Sequence, residues 1–303
     1  MRKKTLVLPE GQTVSPDIVT GFSVDWLSAT IKHREKAREF DFMKAFDDLS
    51  PRKIVTAIHG YDTAYRWKFG AIIQWHSRRA EMGIHFILSG SALRFLHEAG
   101  YDGMFLIQRF TQCFAKFTMI HLALDINDAA ISPSAFYRLF MDKQYTGRSR
   151  VASIIENSFG GQTLYVGSWN SARFFRLYDK AAEQGLTGVN WKRLELVLKQ
   201  DYAQEFGYKF ANEQDIERAS RVFKGVVKSM ADFNHADWIA VLTGEVERLA
   251  LPQHKERKTR EWLLTQVVPA MARYIVETGD ESLLDDFREE FEHALEREQK
   301  KLE

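Results

Sequence analysis

The chain has 303 residues, 42 Lys and Arg against 41 Asp and Glu, and is 45% hydrophobic and 27% charged. Those proportions describe an ordinary globular chain, large enough for one or two domains, and a net charge of +1 neither requires nor excludes a polyanionic partner. A lone Cys113 excludes an internal disulfide and a Cys-based zinc site, and no run approaches the roughly 20 apolar residues of a membrane span.

In chain order, residues 1–20 are expected to form a loosely held arm; Thr5-Leu-Val-Leu-Pro9 is too short for a signal sequence, so a cytoplasmic location without membrane contact is expected. Val24 to Ile31 reads as a strand. Ile31 to Asp48 reads as a charged helix with Ala37, Phe40, Phe42, Met43 and Phe46 on its buried side. Ile54–Gly60, Ala64–Trp75 and Ile84–Ser89 alternate strand-like runs with Gly and Asp breaks, the pattern of an antiparallel meander. Ser89 to Ala99 reads as a short helix, and Phe105 to Phe117 suits either helix or strand. Thr118 to Asp125 is a strand that carries His121, Ala123 and Asp125 on one face. Ile131-Ser-Pro-Ser134 sets up a helix with Ser132 as N-cap and Pro133 in the first turn, and Tyr145 to Arg150 is a basic loop.

Thr163 to Lys180 is a hairpin, two runs rich in β-branched and aromatic residues around Ser168-Trp-Asn-Ser171, and Trp191–Lys199 is a third strand. Alternation places Arg176, Tyr178 and Lys180 on one face, and Arg193, Glu195, Val197 and Lys199 on one face of the next strand. Further on, Ala211–Ala231, Trp238–Leu249 and Trp262–Val276 read as helical segments, the last bent near Pro269. A capping box at Ser282–Asp285 opens a final helix striped by Leu284, Phe287, Phe291 and Leu295. A strand-rich body thus gives way to helix near residue 205. Between Arg138 and Lys199 there are ten Lys and Arg against five Asp and Glu, whereas Glu277–Glu303 has four against eleven. A polyanion should therefore meet the middle of the chain.

A tyrosine between two cations, beside a carboxylate on a neighbouring strand, suits chemistry on a phosphodiester. A phenol has a pKa near 10 and needs cations or a proton acceptor to act as nucleophile. Arg176 and Lys180 flank Tyr178 and could stabilise charge on a five-coordinate phosphorus. The same pattern also fits an ordinary half-buried strand with solvated neighbours. Asp125 and Glu195 are oxygen donors on separate strands that could share a hard divalent ion, with His121 as third ligand or hydrogen-bond partner; Asp25 and Asp128 stand in reserve, the former also read as a local cap. No P-loop, Gly-x-Ser-x-Gly, His-Glu-x-x-His or His-hydrophobe-His pattern occurs.

Six blocks together resemble the replication initiation factor family, the Rep proteins of plasmids and their relatives in filamentous phages and mobile elements. They are Val24-Asp-Trp-Leu-Ser-Ala-Thr-Ile31, Met82-Gly-Ile-His-Phe-Ile-Leu-Ser-Gly90, Ile120-His-Leu-Ala-Leu-Asp125, Thr163-Leu-Tyr-Val-Gly-Ser168, Ser171-Ala-Arg-Phe-Phe-Arg-Leu-Tyr-Asp-Lys180 and Trp191-Lys-Arg-Leu-Glu-Leu-Val-Leu-Lys199. The resemblance implies a rolling-circle nickase and religase whose nucleophile is Tyr178, with Tyr165 as rival. It also implies a Mg2+ or Mn2+ ion on Asp125 and Glu195. One departure is Met119-Ile-His-Leu-Ala-Leu-Asp125, where the family often reads Arg-Ile-Asp-Leu-Ala-x-Asp. If the lost Asp is a ligand, His121 replaces oxygen with nitrogen and shifts preference towards manganese.

The expectation is an α+β protein in which an antiparallel sheet with flanking helices carries the active site and a helical C-terminal region follows. Residues 1–20 form the arm, 21–204 the catalytic nickase domain, and 205–303 a region for DNA recognition or dimerisation. Arg173, Arg176, Lys180, Arg193 and Lys199 would hold phosphates. Implied partners are single-stranded or cruciform origin DNA, a second copy in a homodimer, and a host helicase and polymerase. The alternatives are a relaxase acting at a transfer origin and a DNA-binding regulator that keeps the fold without the reaction.

Overall fold

A computed structural model describes residues 6–7, 13–14, 21–32, 42–127, 131–157, 160–250, 263 and 267–299. Contacts divide the chain into Met1–Leu251 and Pro252–Glu303. In the first unit, β1 (Leu6–Val7) and β2 (Thr13–Val14) form a small ladder, followed by the long strand β3 (Phe22–Ile31) and helix α1 (Phe42–Leu49). Four strands come next: β4 (Arg52–Val55), β5 (Thr63–Trp67), β6 (Ile72–Trp75) and β7 (Ile84–Leu88). Helices α2 (Gly90–Glu98) and α3 (Gly103–Gln112) lead to β8 (Lys116–Ile126), the longest strand. After α4 (Pro133–Met141) and the short β9 (Tyr145–Thr146) come β10 (Ala152–Glu156), β11 (Gln162–Val166), β12 (Arg173–Asp179), a one-turn helix α5 (Lys180–Glu183) and β13 (Lys192–Lys199). Helices α6 (Gln200–Lys209) and α7 (Ile216–Met230), strand β14 (Asp232–Phe233) paired with β9, and α8 (Ala236–Val241) complete the described part of this unit.

Ten strands make one sheet in the order β10-β11-β12-β13-β8-β3-β7-β6-β5-β4, antiparallel throughout. The order contains a symmetry. β3 and β8 pair at the centre, and each is followed by a helix and then by four strands that run from an edge of the sheet inward, β4 to β7 on one side and β10 to β13 on the other.

One face of the sheet is apolar because every second residue of its central strands is: Ile120 and Leu122 of β8, Leu164 of β11, Leu177 of β12, and Leu194, Leu196 and Leu198 of β13 are all fully buried. Helices cover this face. A Cβ on Gly103 of α3 would stand 2.6 Å from the Val24 side chain, and one on Gly207 of α6 would stand 2.3 Å from the Phe117 ring. Both helices approach as closely as they do because glycine leaves room. Caps fix where helices begin: Asp102 accepts from the amides of Met104 and Phe105 at 2.8 and 2.9 Å, and Asp215 from that of Arg218 at 2.8 Å.

The α+β architecture expected from the sequence is observed. The ambiguous Phe105–Phe117 run is α3 followed by the start of β8, and Pro133 opens α4, although the Ser132 hydroxyl pairs with Ser134 Oγ at 3.0 Å rather than capping. Sequence reading overlooked β10 and α6. Helix content beyond Gln200 begins inside the first unit, where α6 and α7 pack on the sheet, and α8 stops at Val241 rather than reaching Leu249. In the second unit α9 (Val268–Thr278) ends at Gly279, whose φ of 72° is left-handed, and α10 (Leu283–Gln299) exposes Leu284, Phe287, Phe291 and Leu295. Ser282 donates its hydroxyl to Asp280 at 2.7 Å instead of closing the expected capping box. Most of the N-terminal arm, the 33–41 part of the first expected helix with Ala37 and Phe40, Asp128, and residues 251–262 lie outside the described residues. No helix among the described residues is long and apolar enough to cross a membrane.

Candidate active site on the polar face of the sheet

The opposite face carries the ionisable residues. Three cross-strand rows define it: Tyr178, Arg193 and Asp125; Arg176, Glu195 and Ala123; Phe174, Val197 and His121, on β12, β13 and β8 respectively. β3 extends the face with Trp26 beside His121. Between Val24 and Trp26 the register slips by one residue, and Asp25 is the extra one. Such a bulge re-aims a side chain that regular alternation would send elsewhere. Asp25 uses it to accept from Arg193 Nη1 at 2.8 Å, across 168 residues of sequence.

Glu195 is the hub and has no solvent exposure. Arg176 Nη2 donates to both carboxylate oxygens at 2.8 and 2.9 Å, the Tyr178 hydroxyl donates at 3.0 Å, and His121 Nδ1 stands 2.6 Å away. A second knot lies beside it. Arg193 grips Asp125 through Nε at 2.7 Å and Nη2 at 2.9 Å, and Trp191 adds an indole N–H to the same carboxylate at 2.8 Å. Planar fork-to-carboxylate bonding of this kind is both strong and directional.

The protonation states follow from this packing. Burial would raise the Glu195 carboxyl, but the His121 hydrogen bond and the Arg176 charge outweigh it and hold the group at about 2. Burial pushes the Tyr178 phenol well above its usual range; the Glu195 charge pushes the same way, and Arg193 and Arg176 offset it only in part. Asp25 is raised, chiefly by burial, against the pull of Arg193. Arg176 and Arg193 are both raised by their carboxylate partners despite desolvation. As packed, the site holds a neutral phenol against an ionised carboxylate.

The other expected residues fall around this hub. Tyr165 lies on β11 directly across from Arg176, with its ring stacked on Trp169, so the bond to Glu195 belongs to Tyr178. Lys180 does not continue the strand: β12 ends at Asp179, whose carboxylate caps α5 by accepting from Ala182 N at 2.9 Å, and Lys180 pairs with Glu183 while lying 5.7 Å from the Tyr178 ring centre. Arg173 packs over Tyr202 at 4.8 Å, and Lys199 donates to the Trp169 carbonyl. Sequence reading missed Trp191, Trp26 and the role of Asp25. Trp26 stacks on His121 at 5.7 Å, and its Nε1 and His121 Nε2 are buried without hydrogen-bond partners.

The donor types suit a divalent ion better than their arrangement does. Both oxygens of Glu195 and both of Asp125 already accept hydrogen bonds from cations or ring N–H groups. The two carboxylates also belong to different cross-strand rows. Among the described residues no group of three or more His, Cys, Asp and Glu side chains is placed to hold a metal. His121, Asp125 and Glu195 therefore do not form a ready-made metal set.

A broad antiparallel sheet with one apolar face under helices is the fold of a known class of protein. The structure is similar to that of a rolling-circle replication initiator protein from Geobacillus stearothermophilus, with a TM-score of 0.55 and 20% identity over 76% of this chain and 94% of that one. No curated protein matches the chain. The model of the replication initiation factor family matches residues 115–286, more than half of the sequence, and the chain belongs to that family. The matched stretch includes β8, β12 and β13, and so every residue of the two knots except Asp25.

Proposed function

We propose that this protein initiates rolling-circle replication by nicking one strand of its origin, with Tyr178 as nucleophile. The observation that carries the reading is the Tyr178–Glu195–Arg176 linkage on the polar face. A phosphodiester that approaches this face meets Arg176, whose side chain keeps about a third of its surface exposed at 32%. A phosphate competes with Glu195 for the guanidinium. As Arg176 turns to the phosphate, Glu195 loses one of the two partners that depress its basicity and becomes a better acceptor for the phenolic proton 3.0 Å away.

Substrate binding and nucleophile activation are thereby coupled. The phenol passes its proton to Glu195, Tyr178 Oη forms a bond to phosphorus, and the bond from phosphorus to the 3′ oxygen breaks with its electron pair going to that oxygen, which takes a proton from solvent. The products are a 5′-phosphotyrosyl link and a free 3′-OH for a polymerase, and attack by that hydroxyl in the reverse sense religates the strand. Asp125 and Glu195 remain the carboxylates that would hold Mg2+ or Mn2+; doing so requires Arg193 or Arg176 to give way. A bound ion would supply Lewis-acid polarisation of the phosphate.

The test is to incubate the protein with a supercoiled plasmid carrying the origin, with Mg2+ or Mn2+, and to look for nicked circles bearing covalent protein. Wild type is expected to form the adduct and Tyr178→Phe to lose it. An adduct that survives Tyr178→Phe transfers the role to Tyr165, and no adduct with wild type supports a DNA-binding regulator instead. A requirement for a transfer origin rather than a replication origin would identify a relaxase.

A further inference from the structure

The turn between β11 and β12 presents an indole that the reaction above leaves unused. Trp169 is 52% exposed, yet it is held in place. Its ring stacks on Tyr165 with centres 4.6 Å apart and lies within 15° of parallel to Phe174 at 6.2 Å. The turn itself is tied down. Ser171 Oγ donates to the Ser168 carbonyl at 2.6 Å, the Asn170 amide donates to Ser168 Oγ at 3.2 Å, and the Lys199 ammonium donates to the Trp169 carbonyl while sitting 5.0 Å from the Phe174 ring centre. A large flat side chain that is both exposed and ordered has already lost most of the freedom that binding would otherwise remove.

The stack adjoins the candidate active site. Tyr165 is the cross-strand neighbour of Arg176, and Phe174 precedes Arg176 on the same face of β12. Tyr178 is four residue steps beyond Phe174, roughly 13 Å along the strand, which a few nucleotides of single-stranded DNA would span. Arg176 lies along that path, and Lys199 stands at its Trp169 end.

We infer that Trp169 is a stacking platform for one unpaired base of the DNA strand that Tyr178 acts on, with Arg176 and Lys199 meeting the phosphates between. The inference rests on the proposed reading of the Tyr178 site. Every base has a π-face, so this contact sets the position of the strand and not its sequence.

The test uses the full chain, fluorescently labelled oligothymidylate of about 15 nucleotides, near the upper site size of single-strand binding folds, and an abasic strand of equal length. Trp169→Ala is expected to weaken binding to oligothymidylate by about 5- to 150-fold, the range that loss of base stacking produces. Trp169→Phe should stay within a few-fold of wild type, and the abasic strand should bind wild type and Trp169→Ala equally. Unchanged binding by Trp169→Ala, or an equal loss on the abasic strand, overturns the inference. If wild type also forms the covalent adduct with origin plasmid, either result overturns the stacking role alone; wild type that neither binds oligothymidylate nor forms the adduct overturns the proposed reaction with it.

Discussion

Glu195→Gln is the perturbation that most directly probes the hub. Glu195 is fully buried and its carboxyl is held at about 2, against an ordinary value of 4.5. A shift of this size corresponds to about 3 kcal/mol of preference for the ionised form in the folded state. Because the folded value lies below the unfolded one, that contribution is fully present above pH 4.5 and is lost as the pH falls towards 2. Glutamine keeps the shape and removes the titration. Urea unfolding of both proteins between pH 6 and pH 2.5 should show wild type losing most of about 3 kcal/mol more than the variant. Asp25 works in the opposite sense: its raised carboxyl favours the fold at low pH and costs stability as the pH rises through its folded value, and part of that rise comes from Glu195 itself. The comparison is therefore repeated in an Asp25→Asn background, which removes the opposing titration. A stability difference between wild type and the Glu195→Gln variant that stays constant across the range to within about 0.5 kcal/mol, the usual error of such comparisons, refutes the idea that Arg176 and His121 hold a buried carboxylate.

Other outcomes follow from the same geometry. Arg193→Met leaves Asp125 and Asp25 without their cation and is expected to destabilise the fold by about 3–5 kcal/mol, measured by denaturant midpoint. Gly207→Val drives methyl groups into the Phe117 ring and should cost at least about 1–3 kcal/mol without altering the polar face, so adduct yield per folded molecule is expected to stay at the wild-type level. Of the five cations expected to meet phosphates, Arg193 is committed to Asp125 and Asp25, and Lys180 to Glu183. Binding of single-stranded DNA should thus depend on salt with a log–log slope of about −2, as for three contacts, rather than about −3.5 for five. If Asp125 and Glu195 take a divalent ion, chelator-treated protein should form no adduct, and Mn2+ should restore it; full activity in chelator would show that the ion-paired network suffices.

Much of the polar face was legible because strand alternation is strict. Tyr178 with Arg176, Arg193 with Glu195, and His121 with Asp125 share that face as the two-residue period requires. What alternation cannot supply is partner choice. Arg193 looks like a phosphate ligand in sequence, and only the pairing of β13 with β8, and of β8 with β3, brings it two carboxylates from 68 and 168 residues away. The Asp25 bulge is likewise invisible, since one inserted residue leaves no local trace in Val24-Asp-Trp26. Other misses were readable. Asp179-Lys-Ala-Ala-Glu183 is an N-cap followed by helix formers, which takes Lys180 off the strand. Ile154 and Ile155 before Gly160-Gly161 signal β10, and Ala203, Phe206 and Phe210 have the spacing of a helix face.

The mirrored strand order of the sheet has a consequence for how such a protein arises. Two half-domains, each a long strand, a helix and an edge-to-centre run of four strands, meet along β3 and β8. Fusion of two copies of an ancestral five-stranded unit would leave this arrangement. The two halves differ in what they place on the equivalent strands: β12 and β13 oppose Arg176 and Glu195, whereas β6 and β7 oppose Gln74 and His85, both buried. His85 there bonds Ser28 and Thr30 and is held neutral, at about 4, chiefly by burial. One half thus carries an ion pair at this place and the other a pair of uncharged hydrogen-bonding groups, on a scaffold that repeats the same strand order twice.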